Sequence, residues 1–345
     1  MTAVGGGNTD ASAPGTDTSN SAGCQAGGVQ LPALLAEVAP RVAAVSVAIA
    51  VGLTLANLAV AFGAVRYVAR FARPLTGPAN LPDAVGTAIL ATTASPTAGY
   101  GMLKEYRDAG VLDDRATLVA VTVNTFFGFV QHIFTFYAPV LIPILGLRVG
   151  LMYVGARAAV SLAITLAGIL AGALLLTEAN VNPSGDADVD LPGDDDETRR
   201  EAIRGAVSKT GGKLKTLVPR LAVVYALVVY LTETYDVTAL TAAAEPLTSL
   251  LGLPGAAVPA IATFAVDTTT GAIFIAPQVP GAFTAEEAVA TMLVGGIVSF
   301  AVSTFKRSIP FQYGIWGARF GSKVIAVNVA TKIVFIGAAI AVLLV

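Results

Sequence analysis

Uninterrupted apolar stretches of about 20 residues, long enough to cross the hydrocarbon core of a bilayer as α-helices, recur along this chain. The strands of a barrel would instead alternate in polarity. The composition agrees with a membrane protein, since 55% of the 345 residues are hydrophobic and only 13% are charged. We therefore predict an all-α polytopic protein of the cell membrane, surrounded by the lipid bilayer. The predicted crossings lie near residues 42–65, 118–145, 151–176, 217–231, 288–302 and 324–345.

An internal repeat divides the chain. Residues 74–99 and 246–271 align without a gap, and ten of the aligned positions are identical. Chance would give about two or three identities in a chain this rich in Ala, Val and Leu. Each copy interrupts an apolar run with Pro, Gly, Ser and Thr, a pattern typical of broken or re-entrant membrane helices. We therefore predict two copies of one unit.

The basic residues are unevenly distributed. Seventeen of the 21 lie in residues 66–115, 199–220 and 306–323, and residues 232–305 contain none. The positive-inside rule makes these three stretches cytoplasmic. Six crossings connect them consistently if the N-terminus is outside and each broken segment returns to the side it entered. Each unit then has three transmembrane helices plus one re-entrant or broken helix, and the odd number of crossings predicts two inverted repeats.

The tail and the linker differ in composition from the apolar units. Residues 1–30 are rich in Gly, Ser, Thr, Ala and Asp and contain no Lys or Arg, which predicts a disordered tail. The linker is acidic and then basic, and it lacks the loop Gly and terminal Glu of an EF-hand, so we favour a solvated cytoplasmic linker over a calcium site. The predicted units are the tail 1–30, the first repeat 31–177 with its broken segment 74–110, the linker 178–213, and the second repeat 214–345 with its broken segment 246–282.

Both broken segments carry clusters of hydroxyl side chains. Inside a bilayer a break persists only where protein or a water-filled cavity supplies partners for the backbone. Hydroxyls and freed carbonyls can bind a cation there, and the amino ends of half-helices can face an anionic or polar group. The alternative is that the hydroxyls only satisfy neighbouring backbone groups. The candidates are Thr92, Thr93, Ser95, Pro96, Thr97 and Gly99 in the first copy, and Asp267, Thr268, Thr269, Thr270 and Gly271 in the second.

Asp267 is the only acid between Glu245 and Glu286. An acid within a membrane is costly and is therefore a functional candidate, able to hold a coupling cation, a proton or a substrate hydroxyl. The structural alternative is an ion pair with Lys332 or Arg157.

The second predicted crossing contains three polar side chains, Asn124, Gln131 and His132. Asn124 and Gln131 are separated by two helical turns and are therefore predicted to share a face. Their amides suit recognition of a base or sugar edge as well as hydrogen bonds between helices, and both interpretations stay open. His132 is either a proton relay or, as we favour, a core histidine with a satisfied ring nitrogen. Asn57 and Asn328 are further polar candidates.

One pattern in the chain resembles a known family. The motifs R-P-L, L-P, S-P-T and E-Y-R-D-A-G-V-L-D-D-R, between Arg73 and about Ile144, resemble the Gate or nucleoside-recognition domain, and a looser match runs from Glu245 to Phe300. That superfamily includes concentrative nucleoside carriers and the membrane region of the bacterial ferrous-iron permease. The chain looks most like its small archaeal members. The resemblance implies broken helices that line a transport site at Thr93, Ser95, Pro96, Thr97 and Gly99, and at residues 267–271.

These observations favour a secondary transporter that works by alternating access. The expected solute is small and polar, with a nucleoside or nucleobase among the candidates, and Na⁺ or H⁺ is the expected coupling ion. A non-transporting membrane scaffold or regulatory protein on the same fold is the alternative. We expect no enzymatic activity, metal, other cofactor or nucleic-acid partner, since the chain lacks a phosphate-binding loop, a zincin helix and a nucleophile elbow. A homo-oligomer is left open.

Overall fold

The structure is a computed structural model. It describes residues 31–61, 76–182, 199–234, 248–304 and 308–344. The predicted tail, residues 183–198 of the linker and the first two residues of each repeat copy lie outside the described ranges, as does the side chain of Asn57.

The described residues are almost entirely helical, which confirms the all-α prediction. A single isolated bridge between Leu112 and Val181 is the strand-like pairing found among them. The α-helices are α1 (Leu31–Ala61), α2 (Asp83–Ala94), α3 (Pro96–Asp108), α4 (Asp114–Val123), α5 (Thr125–His132), α6 (Ile142–Leu145), α7 (Leu147–Leu175), α8 (Arg199–Thr234), α9 (Ala257–Val266), α10 (Thr268–Ile275), α11 (Ala285–Ser303) and α12 (Ile309–Leu344). A π-helical segment, Ile133–Leu141, joins α5 to α6.

Four helical stretches of the described chain are long and apolar enough to cross a membrane. They are Leu34–Leu55, Asp114–Leu145, Leu147–Leu175 and Ile309–Leu344. They coincide with four of the six predicted crossings, and the other two predicted crossings fall within α8 and α11. The chain is therefore built as a multi-pass membrane protein, while the count of six crossings stays a prediction.

The sequence repeat extends to the backbone of the turns that lead into α2 and α9. The amide of Leu81 donates to the carbonyl of Thr76 at 3.0 Å, and at the equivalent position of the second copy the amide of Leu253 donates to the carbonyl of Thr248 at 2.9 Å. Asn80 and the equivalent Gly252 both adopt left-handed backbone conformations, with φ of 52° and 67°. The identical residues therefore specify one local structure twice.

A second pair of equivalent turns lies at Gly146 and Gly317. Both have left-handed φ values, 78° and 73°, with ψ of 164°, a conformation that glycine adopts without steric cost. The helical stretches on either side of each turn touch closely. A β-carbon on Gly150 would lie 2.8 Å from Cα of Ile142, and one on the equivalent Gly321 would lie 3.0 Å from the carbonyl oxygen of Gln312. The repeat thus continues beyond the ungapped sequence match.

Helix α7 lies at the centre of the helices that form the candidate site. It packs against α4 and α5 of the first copy and against α11 and α12 of the second copy. Helix α1 packs along α8 and against the π-helical segment. Residues of both copies therefore meet around the middle of α7.

Candidate functional site

A cavity of about 280 Å³ lies beside α7, between the first broken helix and α12. We call it the Arg157 cavity. Its polar wall is formed by hydroxyl, amide and basic side chains within otherwise apolar helices. The members that carry the argument are Thr92, Tyr100, Asn124, Arg157, Gln312 and Lys332.

The break between α2 and α3 supplies one wall of the cavity. Ser95 ends α2 in an extended conformation, and its hydroxyl accepts a hydrogen bond from the amide of Ala98 at 3.3 Å. Pro96 then occupies the first position of α3, where its missing N–H leaves no helical bond unmade. Thr92, Pro96 and Tyr100 follow one another at one-turn intervals across this break, and all three line the cavity.

A second helix junction, between α4 and α5, presents Asn124 to the same cavity. Thr165 of α7 holds the junction together. Its hydroxyl donates to the carbonyl of Val123 at 2.9 Å and accepts from the amide of Phe126 at 3.1 Å. One side chain thus satisfies backbone groups on both sides of Asn124.

Asn124 also ties this junction to the broken helix. Its Nδ2 donates to the hydroxyl of Thr92 at 2.8 Å, and that hydroxyl donates in turn to the carbonyl of Ala88 at 3.0 Å. Asn124 and Thr92 are both buried. Asn124 is therefore compatible with both predicted roles, solute recognition and hydrogen bonding between helices, because its amide joins two helices and also lines the cavity.

The basic wall comes from Arg157 of α7 and Lys332 of α12, both partly buried. Nη2 of Arg157 donates to the hydroxyl of Tyr137 at 3.3 Å. Nζ of Lys332 lies 3.9 Å from the centre of the Phe300 ring, a cation–π contact. Both cations thus have neutral partners, and among described residues no acid lines the cavity.

The second broken helix has the same cap as the first but different partners. Asp267, equivalent to Ser95, ends α9 in an extended conformation and accepts a hydrogen bond from the amide of Thr270 at 2.7 Å. Its Oδ2 also lies 2.6 Å from Nη2 of Arg220 on α8. The alternative prediction, an ion pair of Asp267 with Lys332 or Arg157, is therefore wrong. Lys332 and Arg157 line the cavity, and α8 supplies the cation because it packs directly against α10.

Of the candidates predicted in the broken segments and the second crossing, Thr92, Pro96, Asn124 and His132 line the Arg157 cavity. The hydroxyl of Thr93 donates to the carbonyl of Leu90 at 2.6 Å, and Thr97 is exposed. Gly99 is buried where α2 and α3 touch, since a β-carbon there would lie 2.6 Å from the carbonyl oxygen of Ala88. The remaining predicted members, which stand outside the cavity lining, are Ser95, Gln131, Asp267, Thr268, Thr269 and Thr270.

The shared face predicted for Asn124 and Gln131 does not place both at the cavity. His132 lines it instead, with an exposed side chain whose Nδ1 lies 2.9 Å from Oε1 of Gln131. The junction at Asn124, which precedes α5 and has a ψ of −9°, changes the helical phase on which that prediction depended. Asn328, a lower-ranked candidate, does line the cavity.

Sequence reasoning missed Arg157 and Lys332 as wall residues. Both are basic residues inside predicted crossings, which is a signal of function in its own right. The internal repeat strengthens this signal of function. With the offset that relates Gly146 to Gly317, Arg157 corresponds to Asn328 and Ser161 corresponds to Lys332, and all four of these polar residues line the cavity. The site therefore draws equivalent positions from both copies.

Metal binding has no visible site in the described ranges. They contain no group of three or more His, Cys, Asp or Glu side chains that could hold a metal ion. The chemistry available at the cavity is hydrogen bonding and positive charge.

Comparison with known proteins finds relatives without an assigned activity. The chain is similar to two uncharacterized proteins of Methanocaldococcus jannaschii. One is 28% identical over 244 residues, which cover 70% of this chain and 74% of the relative. The other is 24% identical over 285 residues, which cover 81% of this chain and 89% of the relative. No family model and no solved structure matches the chain, so the Gate resemblance stays a prediction.

Proposed function

We propose that this chain is a secondary transporter of a small polar solute and that the Arg157 cavity is its binding site. The observation that carries the proposal is the cavity itself, where basic and amide side chains converge among apolar helices. Such groups are costly within a membrane and mark solute or ion pathways. The broken helix at its edge supports the same function, because discontinuous helices recur at the solute sites of carriers.

Alternating access is the proposed mechanism, with the two repeats inverted relative to each other. Support comes from the matched turns at Asn80 and Gly252 and at Gly146 and Gly317, together with the odd number of crossings proposed for each copy. Rocking one copy against the other would open a cavity that both copies line to each side of the membrane in turn.

The solute is a small polar molecule, with nucleosides and nucleobases among the candidates, and its transport is coupled to Na⁺ or H⁺. The carboxylate of Asp267 is held by Arg220 and by the amide of Thr270, which disfavours it as the ligand of a coupling cation. Na⁺ or H⁺ coupling would therefore act elsewhere on the chain.

Accessibility of the cavity from the two sides of the membrane tests alternating access before the solute is known. The only cysteine, Cys24, is first replaced by serine, and Thr125→Cys then places one thiol on the cavity wall. A membrane-impermeant maleimide applied to sealed vesicles should label that thiol from either side. Ala120→Cys is the control, because Ala120 is fully buried one helical turn before the α4–α5 junction and should stay unlabelled.

The scaffold alternative predicts a different result. A protein that never exchanges conformations would label Thr125→Cys from one side at most, and the transporter proposal would then fail. Deleting residues 183–200 gives a second comparison. A scaffold that binds cytosolic proteins through the charged linker should lose that binding, whereas a transporter should still be labelled from both sides.

A further inference from the structure

The Arg157 cavity carries positive charge that no acid of the described ranges balances at its wall. Arg157 is bonded to the neutral Tyr137, and Lys332 stacks on the neutral ring of Phe300. Arg157 and Lys332 line the same cavity, so two like charges face one space and repel each other. A negatively charged group in the cavity would reverse this unfavourable balance, because it would attract both cations at once.

Two buried amide oxygens at the cavity also lack donors. Oδ1 of Asn124 and Oε1 of Gln312 have no hydrogen-bond partner among the described residues, although the Gln312 amide also lies beside the hydroxyl of Tyr100. Asn124 is 2% exposed and Gln312 is 7% exposed. A buried acceptor without a donor is costly. An N–H or O–H group that reached either oxygen, each of which is enclosed in the ligand-free structure, would remove that cost.

The orientation of the Asn124 amide follows from its neighbour. The hydroxyl hydrogen of Thr92 is used on the carbonyl of Ala88, so the oxygen of Thr92 is left only to accept. The atom of Asn124 that faces it at 2.8 Å must therefore be the donor Nδ2. Oδ1 is consequently the atom left without a donor.

The broken helix adds a weaker preference of the same sign. Pro96, the first residue of the 13-residue helix α3, lines the cavity, which places the amino end of that helix beside it. The partial positive charge of a helix amino end favours an anion nearby. Arg157, Lys332 and the dipole of α3 therefore select for the same ligand charge.

The volume of the cavity suits a small solute. At about 280 Å³ it lies near the lower end of the range of about 300–1,000 Å³ that small-molecule sites span.

From these observations we propose that the cavity binds a small organic oxyanion that also carries N–H or O–H donors. Arg157 and Lys332 bind the carboxylate or phosphate group, and the oxygens of Asn124 and Gln312 accept from the donors. The proposal rests on the transporter function and names the substrate class of its site.

Binding to purified full-length protein in detergent tests the ligand class. The probes are amino and hydroxy carboxylates and small organic phosphates, each beside its uncharged amide or alcohol and beside an anion of similar size without donors. We expect thermal stabilisation by donor-bearing anions, and the carboxylate and phosphate arms distinguish the oxyanion. Stabilisation by the uncharged probes alone, or by none of the anions, would overturn the proposal.

Substitutions locate the binding to the cavity. Arg157→Gln and Lys332→Gln should each weaken anion binding roughly tenfold to a hundredfold, as expected for loss of a charged hydrogen bond. Gln312→Met should weaken donor-bearing anions and spare donor-free ones. Arg148→Gln is the matched control on the same helix, because Arg148 is exposed and lies 3.3 Å from Glu286. Equal effects of Arg148→Gln and Arg157→Gln would refute the site.

The thermal midpoint of the ligand-free protein tests the proposal independently of ligand binding, which a misfolded variant would also lose. Because Lys332 has a repelling neighbour and no acidic partner at the wall, Lys332→Met should raise the thermal midpoint of the ligand-free protein. Lys323→Met is the control, since Lys323 lies 2.8 Å from Oδ2 of Asp114 and should give no such rise. A lowered midpoint for Lys332→Met would mean that the contact with Phe300 outweighs the repulsion from Arg157, against the proposal.

The two proposals fail separately. Labelling of Thr125→Cys from both sides without any anion binding would reject the oxyanion and keep the transporter. Anion binding with labelling from one side would keep the oxyanion and reject alternating access.

Discussion

The amide of Asn124 and the hydroxyl of Thr92 form a buried hydrogen bond of 2.8 Å that joins the α4–α5 junction to the first broken helix. The second copy keeps the contact and changes its chemistry. With the offset that relates Gly146 to Gly317, Gly295 corresponds to Asn124, and Phe264 aligns with Thr92 in the ungapped repeat. A β-carbon on Gly295 would lie 2.8 Å from Cβ of Phe264. The repeat therefore preserves packing, while the polar version of this contact opens on the Arg157 cavity.

The Thr92–Asn124 bond should show as an energetic coupling. Thr92→Val removes the hydroxyl with little change of shape and leaves Nδ2 of Asn124 without its partner, at a cost of about 1–3 kcal/mol. Asn124→Leu removes the other partner. We expect the double variant to be less destabilised than the sum of the singles, as measured by unfolding in detergent. Strict additivity would show that the bond contributes nothing.

The tight contact inside each broken helix gives a second prediction. A β-carbon on Gly271 would lie 2.5 Å from Cα of Phe264, and one on the equivalent Gly99 would lie 2.6 Å from the carbonyl oxygen of Ala88. Gly99→Ala and Gly271→Ala should therefore each destabilise the protein by about 1–3 kcal/mol, because two helices must separate.

Gly101 is the matched control for these glycines. It lies on α3 shortly after Gly99, and nothing would contact a β-carbon there. Gly101→Ala should be neutral or stabilise by up to about 1 kcal/mol, since alanine favours a helix interior. Equal thermal midpoints for Gly99→Ala and Gly101→Ala would contradict the close packing of α2 on α3.

The two breaks could be predicted from sequence because their causes are local. Ser95 and Asp267 each end an apolar helix and cap the next one. The Pro, Gly and Thr residues around them are typical of helix ends, so the sequence alone indicates a break there. The turn at Gly317 was harder to predict, because its equivalence to Gly146 lies outside the ungapped match.

The composition of the cavity depends on contacts that sequence spacing does not encode. Arg157 and Lys332 lie on separate helices, and only the packing of α7 against α12 brings them together. The pairing of Asp267 with Arg220 likewise follows from the contact between α8 and α10. The sequence suggested an ion pair between Asp267 and one of the two basic residues inside apolar segments. The packing of α8 against α10 instead brings Arg220 to Asp267.

The Asp267–Arg220 pair supplies a third prediction. Both side chains are about one-third exposed, at 33% and 37%, so their coupling should be at most about 1 kcal/mol. Asparagine caps a helix about as well as aspartate, so Asp267→Asn removes the charge and keeps the cap, whereas Asp267→Ala loses both and should cost about 1 kcal/mol more. Denaturant unfolding of the two variants separates these contributions. Loss of anion binding in Asp267→Asn would return this residue to the solute site.

Thr165 gives the last prediction, because one hydroxyl supports the junction that presents Asn124. Thr165→Val keeps the side-chain shape and leaves the carbonyl of Val123 and the amide of Phe126 without this partner. We expect a loss of about 1–3 kcal/mol in unfolding free energy and weaker binding of donor-bearing anions, since Oδ1 of Asn124 would be less firmly positioned. Thr165→Ser retains the hydroxyl and should preserve the affinity even where the missing methyl lowers stability. If Thr165→Val and Thr165→Ser weaken binding equally, packing rather than the hydrogen bonds of Thr165 positions Asn124.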